Sequence, residues 1–165
     1  MQKRILSLLV DNTAGVLSRI SGLFSRRGYN IDSLSAGVTA DERFTRLTVV
    51  CSGDVLILEQ ITKQLAKLVD VRDIKVLEPE DSVSRELVLV KVAAKPEQRQ
   101  GSISIADIFR AKVIDVSKDS MIIEMTGTKS KLEAFINLLE DYEILELART
   151  GITGLSRGTH DVRYL

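Results

Sequence analysis

Apolar residues near the start of the chain change their spacing at one point, and this change predicts a strand followed by a helix. An apolar run over 5–10 stops at the polar stretch 11–14, and from Gly15 onward apolar residues recur every three or four positions. The predicted helix ends at Arg26-Arg27-Gly28, because cations favour the negative end of the helix dipole and glycine closes a helix in the left-handed conformation. Its predicted inward stripe is Leu17, Ile20 and Phe24.

The rest of the first half predicts a hairpin, a second helix and a closing strand. Two extended runs, 31–40 and 43–52, flank Asp41-Glu42 and predict the hairpin. Gly53-Asp54 opens the helix, and 70–77 is predicted to be a strand that precedes an acidic, polar stretch. The helix turns four apolar residues inward, namely Leu58, Ile61, Leu65 and Leu68. The first half therefore has the order βαββαβ.

The second half repeats this order. One helical stretch starts within the polar residues 95–102, and the other helix opens at Gly127-Thr128. Strands are predicted over 87–94, 113–116, 121–125 and 143–148. The inward residues of the two helices are Ile105, Ile108 and Phe109 in the first and Leu132, Phe135, Ile136 and Leu139 in the second. The repeated order predicts an α+β chain of two ferredoxin-like βαββαβ domains.

The acidic stretch sets the predicted domain boundaries. We predict one domain over 1–78, a linker over 79–84 and a second domain over 85–165. Each antiparallel sheet then carries two helices on one face, so its other face is either solvated or covered by a partner. Because 44% of the residues are hydrophobic, we expect a second copy of the chain to cover it.

Composition narrows the classes of partner. Acidic and basic residues number 23 each, so no net field draws this protein to nucleic acid or to an anionic membrane. The single cysteine, Cys51, lies in an apolar run, where we expect a buried thiol, and it excludes an internal disulfide framework. The N-terminal apolar run is too short for a signal peptide or a membrane span. We therefore expect a cytoplasmic protein that binds neither nucleic acid nor a membrane.

Catalytic chemistry has little support in the sequence. The only histidine is His160, so a multi-histidine metal site or a Ser-His-Asp arrangement has no basis. The sequence contains neither G-x-G-x-x-G nor G-x-x-x-x-G-K-[ST], the glycine-rich motifs that bind dinucleotides and nucleoside triphosphates. An aromatic content of 4% argues against an RNA-binding module of this topology. Metal sites built from carboxylates alone stay open, because 23 acidic residues offer coincidental pairs.

The turn between the first strand and the first helix carries the most informative chemistry. A helix begins with main-chain N–H groups that lack partners inside the helix and carry partial positive charge, so an anion fits there. Gly15 lets a ligand approach the main chain, and the Asn12 amide can donate to a carboxylate and accept from an ammonium. These groups suit a free amino acid. A plain structural role is the alternative, in which Asn12 or Thr13 caps the helix and Gly15 eases a tight turn.

Longer stretches of the sequence resemble one family. The stretch 8–33 resembles the amino-acid-binding ACT domain. Its motif Asn12-x-x-Gly15-Val16-Leu17-Ser18-Arg19, followed by Leu23-Phe24-x-Arg26-Arg27-Gly28-Tyr29-Asn30-Ile31, is similar to the small, regulatory subunits of acetolactate synthase (acetohydroxyacid synthase). The likeness continues at 58–69, 85–92, 108–116 and 148–158. The last of these stretches, rich in glycine and arginine, would otherwise be interpreted as a frayed terminus.

The resemblance implies a non-catalytic protein that activates a separate, large catalytic subunit and lets valine inhibit it in branched-chain amino acid biosynthesis. That catalytic partner joins two pyruvates, or pyruvate and 2-oxobutyrate, and uses thiamine diphosphate, magnesium and FAD. We therefore expect no cofactor on this chain. Two alternatives stay open, a free-standing ACT-type amino-acid sensor that regulates another client protein and an enzyme built on paired carboxylates.

The resemblance also implies a homodimer through the N-terminal domains, with the effector at the interface. The residues implied to meet its carboxylate and ammonium are Asn12, Gly15, Val16 and Leu17, and those implied to close the site from the second chain are Asn30 and Ile31. Ala14 stands where the family often has proline, which loosens the turn but leaves the N–H groups available.

Overall fold

The computed structural model describes residues 1–159, which form two compact units. One unit contains Met1–Ser84 together with residues 152–159 of the tail, and the other is Arg85–Gly151. His160, the only histidine, lies outside the described residues.

The first unit has the predicted order of elements. Its elements are β1 (Gln2–Asp11), α1 (Val16–Arg27), β2 (Asn30–Val38), β3 (Phe44–Gly53), α2 (Val55–Ala66) and β4 (Val71–Val76). The strands pair antiparallel in the order β2-β3-β1-β4. Both helices pack on one face because alternate residues of β1 and β3 point toward them. That core includes Leu6, Leu8, Ile20, Phe24, Leu47, Val49, Leu58, Ile61 and Leu65.

The second unit repeats the topology. Its elements are β5 (Ser82–Ala93), α3 (Arg99–Ile108), β6 (Lys112–Val116), β7 (Ser120–Gly127), α4 (Lys129–Leu139) and β8 (Ile144–Arg149). These strands pair antiparallel in the order β6-β7-β5-β8. Its core includes Val88, Val90, Val92, Ala106, Met121, Ile123, Leu132, Phe135 and Leu139. The prediction of two ferredoxin-like βαββαβ units is therefore confirmed.

Two residues assigned to inward helix stripes face outward instead. Leu17 is 48% exposed, because Val16, four residues before Ile20, takes the inward place at the start of α1. Ile108 is 75% exposed, since Ala106 is buried and a helix turns about 200° over two residues. Cys51 is buried as expected, and burial raises the pKa of its thiol to about 11.

The predicted linker and residues 152–159 both belong to the first unit. Residues 79–84 contain a short 3-10 helix, Pro79–Asp81, and the first residues of β5, where the sequence predicts a linker. The sequence predicts a second domain over 85–165, but the chain returns to the first unit at Ile152 and adds a ninth strand, β9 (Thr153–Ser156), which pairs with β5. Extended main chain at this place needs hydrogen-bond partners, and pairing with β5 supplies them.

The face of the first sheet that points away from the helices is buried at its centre within a single chain. Ser7, Leu9, Thr48 and Val50 lie on this face and are nearly inaccessible to solvent. The main-chain N–H of Gly154 in the tail donates to Thr48 Oγ1 at 3.3 Å. These four residues are therefore already buried without the second copy that the sequence leads us to expect on this face. Within residues 1–159, no helix is both long and apolar enough to cross a membrane.

Candidate functional site

The turn between β1 and α1 takes the conformation that its glycine permits. Gly15 precedes α1 with φ 83° and ψ −3°, in the left-handed region that side chains other than glycine rarely adopt. Its carbonyl accepts the N–H of Arg19 at 2.9 Å, which is the first hydrogen bond of the helix. No side chain within the described part of the chain caps this helix, so Asn12 and Thr13 do not have the capping role that the sequence left open.

The first turn of α1 presents donors without partners. The main-chain N–H groups of Val16, Leu17 and Ser18 make no hydrogen bond to any of residues 1–159. These groups carry the positive end of the helix dipole, and α1 has no acidic residue in its first turn to neutralise it. A carboxylate is the kind of group that this position stabilises.

A cavity of about 300 Å³ opens beside these donors, a volume at the lower end of the range for small-molecule sites. Its lining includes all four residues that the sequence predicts to contact the effector from this protomer, namely Asn12, Gly15, Val16 and Leu17. Residues not predicted complete the lining, and they are Val10, Asp11, Thr13, Ser18, Thr45 and Leu47. The wall thus combines polar groups near the helix terminus with branched apolar side chains.

Asn12 joins the turn to the hairpin formed by β2 and β3. Its Nδ2 donates to the Glu42 carbonyl at 2.9 Å, its Oδ1 accepts from Thr45 Oγ1 at 3.2 Å, and its main-chain N–H donates to the Arg43 carbonyl at 2.8 Å. An amide has a second N–H and a second lone pair. The Asn12 amide therefore holds the hairpin turn and keeps one donor and one acceptor position for a ligand.

Arg19 and Asp70 brace the turn from the other side. The guanidinium contacts the carboxylate at two points, Nε to Oδ2 at 2.5 Å and Nη2 to Oδ1 at 3.1 Å. The hydrogen bond from Arg19 lowers the pKa of Asp70 and keeps it ionised. The main-chain carbonyl of Asp70 accepts the N–H of Asp11 at 2.9 Å, so Asp70 contacts both ends of the turn.

Two more ion pairs lie beside the turn. Arg72 contacts Asp11 through two hydrogen bonds of 2.7 and 3.0 Å. Arg43 contacts Asp41 in the hairpin turn, where its hydrogen bonds lower the pKa of Asp41 to about 2. These pairs balance charge around the cavity, so the unpaired positive potential is that of the helix terminus. Among the described residues, no group of three or more His, Cys, Asp or Glu side chains is placed to hold a metal ion.

Asn30 and Ile31, predicted to act from a second chain, are not part of this cavity in the protomer. Asn30 starts β2, and its Nδ2 donates to Asp32 Oδ1 at 2.6 Å and to Ser52 Oγ at 3.2 Å. The side chain of Ile31 packs against the core of its own unit. Asn30 is exposed and remains available to a neighbouring chain, whereas Ile31 is partly committed to its own core.

Thr45 and Leu47 are the lining residues that lie far from the turn in sequence. In the pairing of β1 with β3, Thr45 stands opposite Val10 and Leu47 opposite Leu8. Their side chains therefore point to the helix side of the sheet. The alternation of the hairpin could have indicated their face, but only the strand register brings them to the mouth of α1.

Comparison with known proteins gives matches along nearly the whole chain. A family model described as the AHAS small subunit-like ACT domain matches residues 6–73. A second model, described as the small subunit of acetolactate synthase, matches residues 85–158.

Individual proteins match over similar lengths. The acetolactate synthase small subunit of Mycolicibacterium smegmatis is 50% identical over 157 residues, which is 95% of this chain and 92% of that protein. A probable acetolactate synthase small subunit from Archaeoglobus fulgidus is 49% identical, over 94% of this chain and 98% of that protein. The crystal structure of the acetolactate synthase small subunit from Thermotoga maritima superposes with a TM-score of 0.89 at 42% identity, covering 96% of this chain and 99% of that one.

Proposed function

The chain belongs to the acetolactate synthase small-subunit family, and on that premise we propose that it is the regulatory subunit of this enzyme. In this proposal it activates the catalytic large subunit and lets valine inhibit it, as feedback in the biosynthesis of valine, leucine and isoleucine. Thiamine diphosphate, magnesium and FAD belong to the catalytic partner. The observation that carries the effector part is the cavity at the bare N-terminus of α1.

The proposed effector mode uses both ends of a free amino acid. Its carboxylate lies at the N–H groups of Val16 and Leu17, which have no acceptor among the described residues. Its ammonium lies near Asn12, whose Oδ1 has a lone pair beyond the one used by Thr45. Its branched side chain faces the apolar part of the lining, where Leu47 stands.

A second copy completes the proposed site. We propose a homodimer through the N-terminal units, in which Asn30 and Ile31 of the neighbouring chain close the cavity. Two features of the protomer support an additional wall: the cavity is open to solvent at Leu17, and Asn30 is exposed on the edge strand β2. Ile31 would reach the neighbour only with the part of its side chain that its own core leaves uncovered.

The size of the ligand bounds its affinity. Valine has about eight non-hydrogen atoms, and at a ceiling of about 1.5 kcal/mol per atom its binding free energy is no better than about −12 kcal/mol. Ordering costs place real affinity in the micromolar to millimolar range. Valine, leucine and isoleucine differ by one methylene or its position, so the pocket separates them by only about 1–3 kcal/mol.

The deciding experiment is acetolactate formation by the catalytic subunit with and without this chain, titrated separately with valine, leucine and isoleucine. We expect the chain to raise the rate and valine to lower it again. Retention of the catalytic subunit by the immobilised chain is the accompanying measurement. A chain that retains no such enzyme but binds valine is a free-standing amino-acid sensor, and that result would overturn the proposal.

A further inference from the structure

The tail after Ile152 contacts both strands of the hairpin that lines the cavity. The Gly154 N–H donates to Thr48 Oγ1 on β3, and the Ile152 carbonyl accepts from Ser35 Oγ on β2 at 2.9 Å. Ser35 and Thr48 are opposite each other in the pairing of the two strands. The tail therefore lies across the hairpin on the face away from the helices.

Gly154 lets the main chain of the tail approach its neighbours closely. A Cβ at this position would lie 2.9 Å from Ser84 Oγ, 3.0 Å from Leu77 Cδ1 and 3.1 Å from the Val83 carbonyl oxygen. A side chain at this position would therefore displace the tail or its neighbours. The Arg157 N–H donates to the Asp81 carbonyl at 2.7 Å and fixes the far end of the segment. We call residues 152–157 the strap.

The root of the strap is attached to the second unit. The Thr150 N–H donates to the Leu87 carbonyl, and the Leu87 N–H donates to Thr150 Oγ1, both at 3.1 Å. Beside them Arg149 binds Glu86 through two hydrogen bonds of 2.8 and 3.0 Å, and Glu86 is almost fully buried. The chain leaves the first unit after Ser84 and returns to it at Ile152. The hydrogen bonds between 86–87 and 149–150 hold these two crossing segments together.

The hairpin under the strap also carries the effector contacts. Thr45 and Leu47 line the cavity from β3, and the next residue, Thr48, holds the strap on the opposite face. Asn12 binds the turn of the same hairpin through Glu42 and also contacts Thr45. A ligand that engages the Asn12 amide therefore acts on the element to which the strap is bound.

We infer that the strap couples the effector cavity to the second unit, so that an amino-acid effector regulates the catalytic partner only while the strap can seat on the hairpin. The inference rests on the proposed function, because it assigns a route to the regulation proposed above. In this inference, effector binding and activation of the partner do not depend on the strap. Inhibition needs the seated strap in addition to a bound effector. The two states of the switch are the seated and the released strap.

The test uses two variants of the full chain and one control. Gly154→Val places a branched side chain where even a Cβ would push its neighbours aside, and Thr48→Val removes the hydroxyl that accepts the Gly154 N–H at nearly constant volume. Thr62→Val is the matched control, since it removes a hydroxyl that bonds the Leu58 carbonyl in α2, away from both the strap and the cavity. For each protein, valine affinity is measured by calorimetry, activation and inhibition by acetolactate formation, and strap seating by amide exchange over 152–157.

In the strap variants we expect faster exchange over the strap, unchanged activation, valine affinity close to that of the wild type and a loss of inhibition. The coupling between valine and catalysis should fall by about fivefold or more, the lower end of typical allosteric coupling. In the wild type, valine should change exchange over the strap. Thr62→Val should behave as the wild type does.

Several outcomes overturn the inference. Full valine inhibition in Gly154→Val or in Thr48→Val, together with faster exchange over 152–157, shows that the strap does not couple the two units. Loss of valine binding in both strap variants makes the strap part of the site instead of a coupling element. If Gly154→Val does not fold, Thr48→Val gives the same decision. A wild-type chain that binds no valine contradicts the proposed function and not the strap, so the two failures are distinguishable.

Discussion

In the first unit, the helix after the opening strand begins at a left-handed glycine, whereas the corresponding helix of the second unit begins after a right-handed residue. Gln98, which precedes α3, has φ −99° and ψ −15°, and its Oε1 accepts the N–H of Lys95 at 3.2 Å. Tyr142 packs on the first turn of α3 so closely that a Cβ at Gly101 would have no room. The first turn of α1 has no such cover and borders a cavity.

The two units also use different side chains to hold the hairpin that follows their first helix. In each, a residue near the start of the first helix binds the turn of the following hairpin. Asn12 does so through the Glu42 carbonyl, and Arg99 does so through the Ser117 and Lys118 carbonyls, both at 2.8 Å. Because topology and task are shared, we expect a difference in ligand binding between the two units to arise from the chemistry of the turn and not from the fold.

The largest expected effect comes from placing a charge at the turn of the first unit only. Gly15→Asp puts a carboxylate where we place that of the effector, so valine inhibition should be abolished while activation is retained. Gly15→Asn is the matched control, since both side chains tolerate a positive φ better than most and both meet Arg19 Nη1 at the far end of its flexible side chain. The measurement is a valine titration of acetolactate formation.

Equal inhibition of Gly15→Asp and the wild type would contradict the placement of the site. Gln98→Asp makes the equivalent change in the second unit, and it should leave the valine response unchanged. An effect of Gln98→Asp as large as that of Gly15→Asp would remove the difference between the two turns.

The two residues that bind the hairpins should differ in their effect on the ligand. Asn12→Ala removes a hydrogen bond to a charged group, worth about 1.5–3 kcal/mol, so valine affinity should fall about tenfold to a hundredfold. Arg99→Ala removes hydrogen bonds to Ser117 and Lys118 and should leave the valine dissociation constant unchanged. Calorimetry with each full-length variant measures both. Unchanged affinity in Asn12→Ala would restrict Asn12 to its structural role.

The second helices of the two units should respond in the same direction, because each begins at a side chain that accepts a main-chain N–H of its first turn. Asp54 Oδ1 accepts the Ile57 N–H at 2.8 Å, and Thr128 Oγ1 accepts the Lys131 N–H at 3.4 Å. We expect Asp54→Ala to destabilise α2 by about 1 kcal/mol and Thr128→Ala to destabilise α4 by about 0.5 kcal/mol, since its bond is longer. Amide exchange within each helix measures the local opening free energy. A larger loss in α4 than in α2 would contradict this order.

The smallest expected effect is a dependence on pH in the hairpin of the first unit. The hydrogen bonds from the side chain and main chain of Arg43 lower the pKa of Asp41 to about 2, below the value of about 3.9 in an unfolded chain. The pair therefore stabilises the folded hairpin fully above about pH 4, and this contribution is lost as the pH falls through about 2. Carboxyl titration by NMR checks the pKa, and Asp41→Asn should remove this part of the acid dependence. A pKa near 4 for Asp41 would show that the pair is not formed in solution.

The sequence by itself determined the local structure of both units. Periods of two and of about 3.6 residues gave the order of strands and helices, because they follow from the geometry of the elements alone. The same holds for the caps at Asp54 and Thr128 and for the turn at Gly15, where a residue's own conformational range decides its place. Stripe assignments at Leu17 and Ile108 were wrong because neighbouring apolar residues competed for one inward position.

Only the tertiary structure decided which distant residues meet. Thr45 and Leu47 reach the cavity through strand register, and Asp70 reaches Arg19 across 51 positions of sequence. The return of the strap to the first unit depends on the space above Gly154 and on the partners offered by Ser35 and Thr48. Such contacts follow from how the chain closes on itself, and no local period records that closure. The contribution of Asn30 and Ile31 from a second chain stays a prediction.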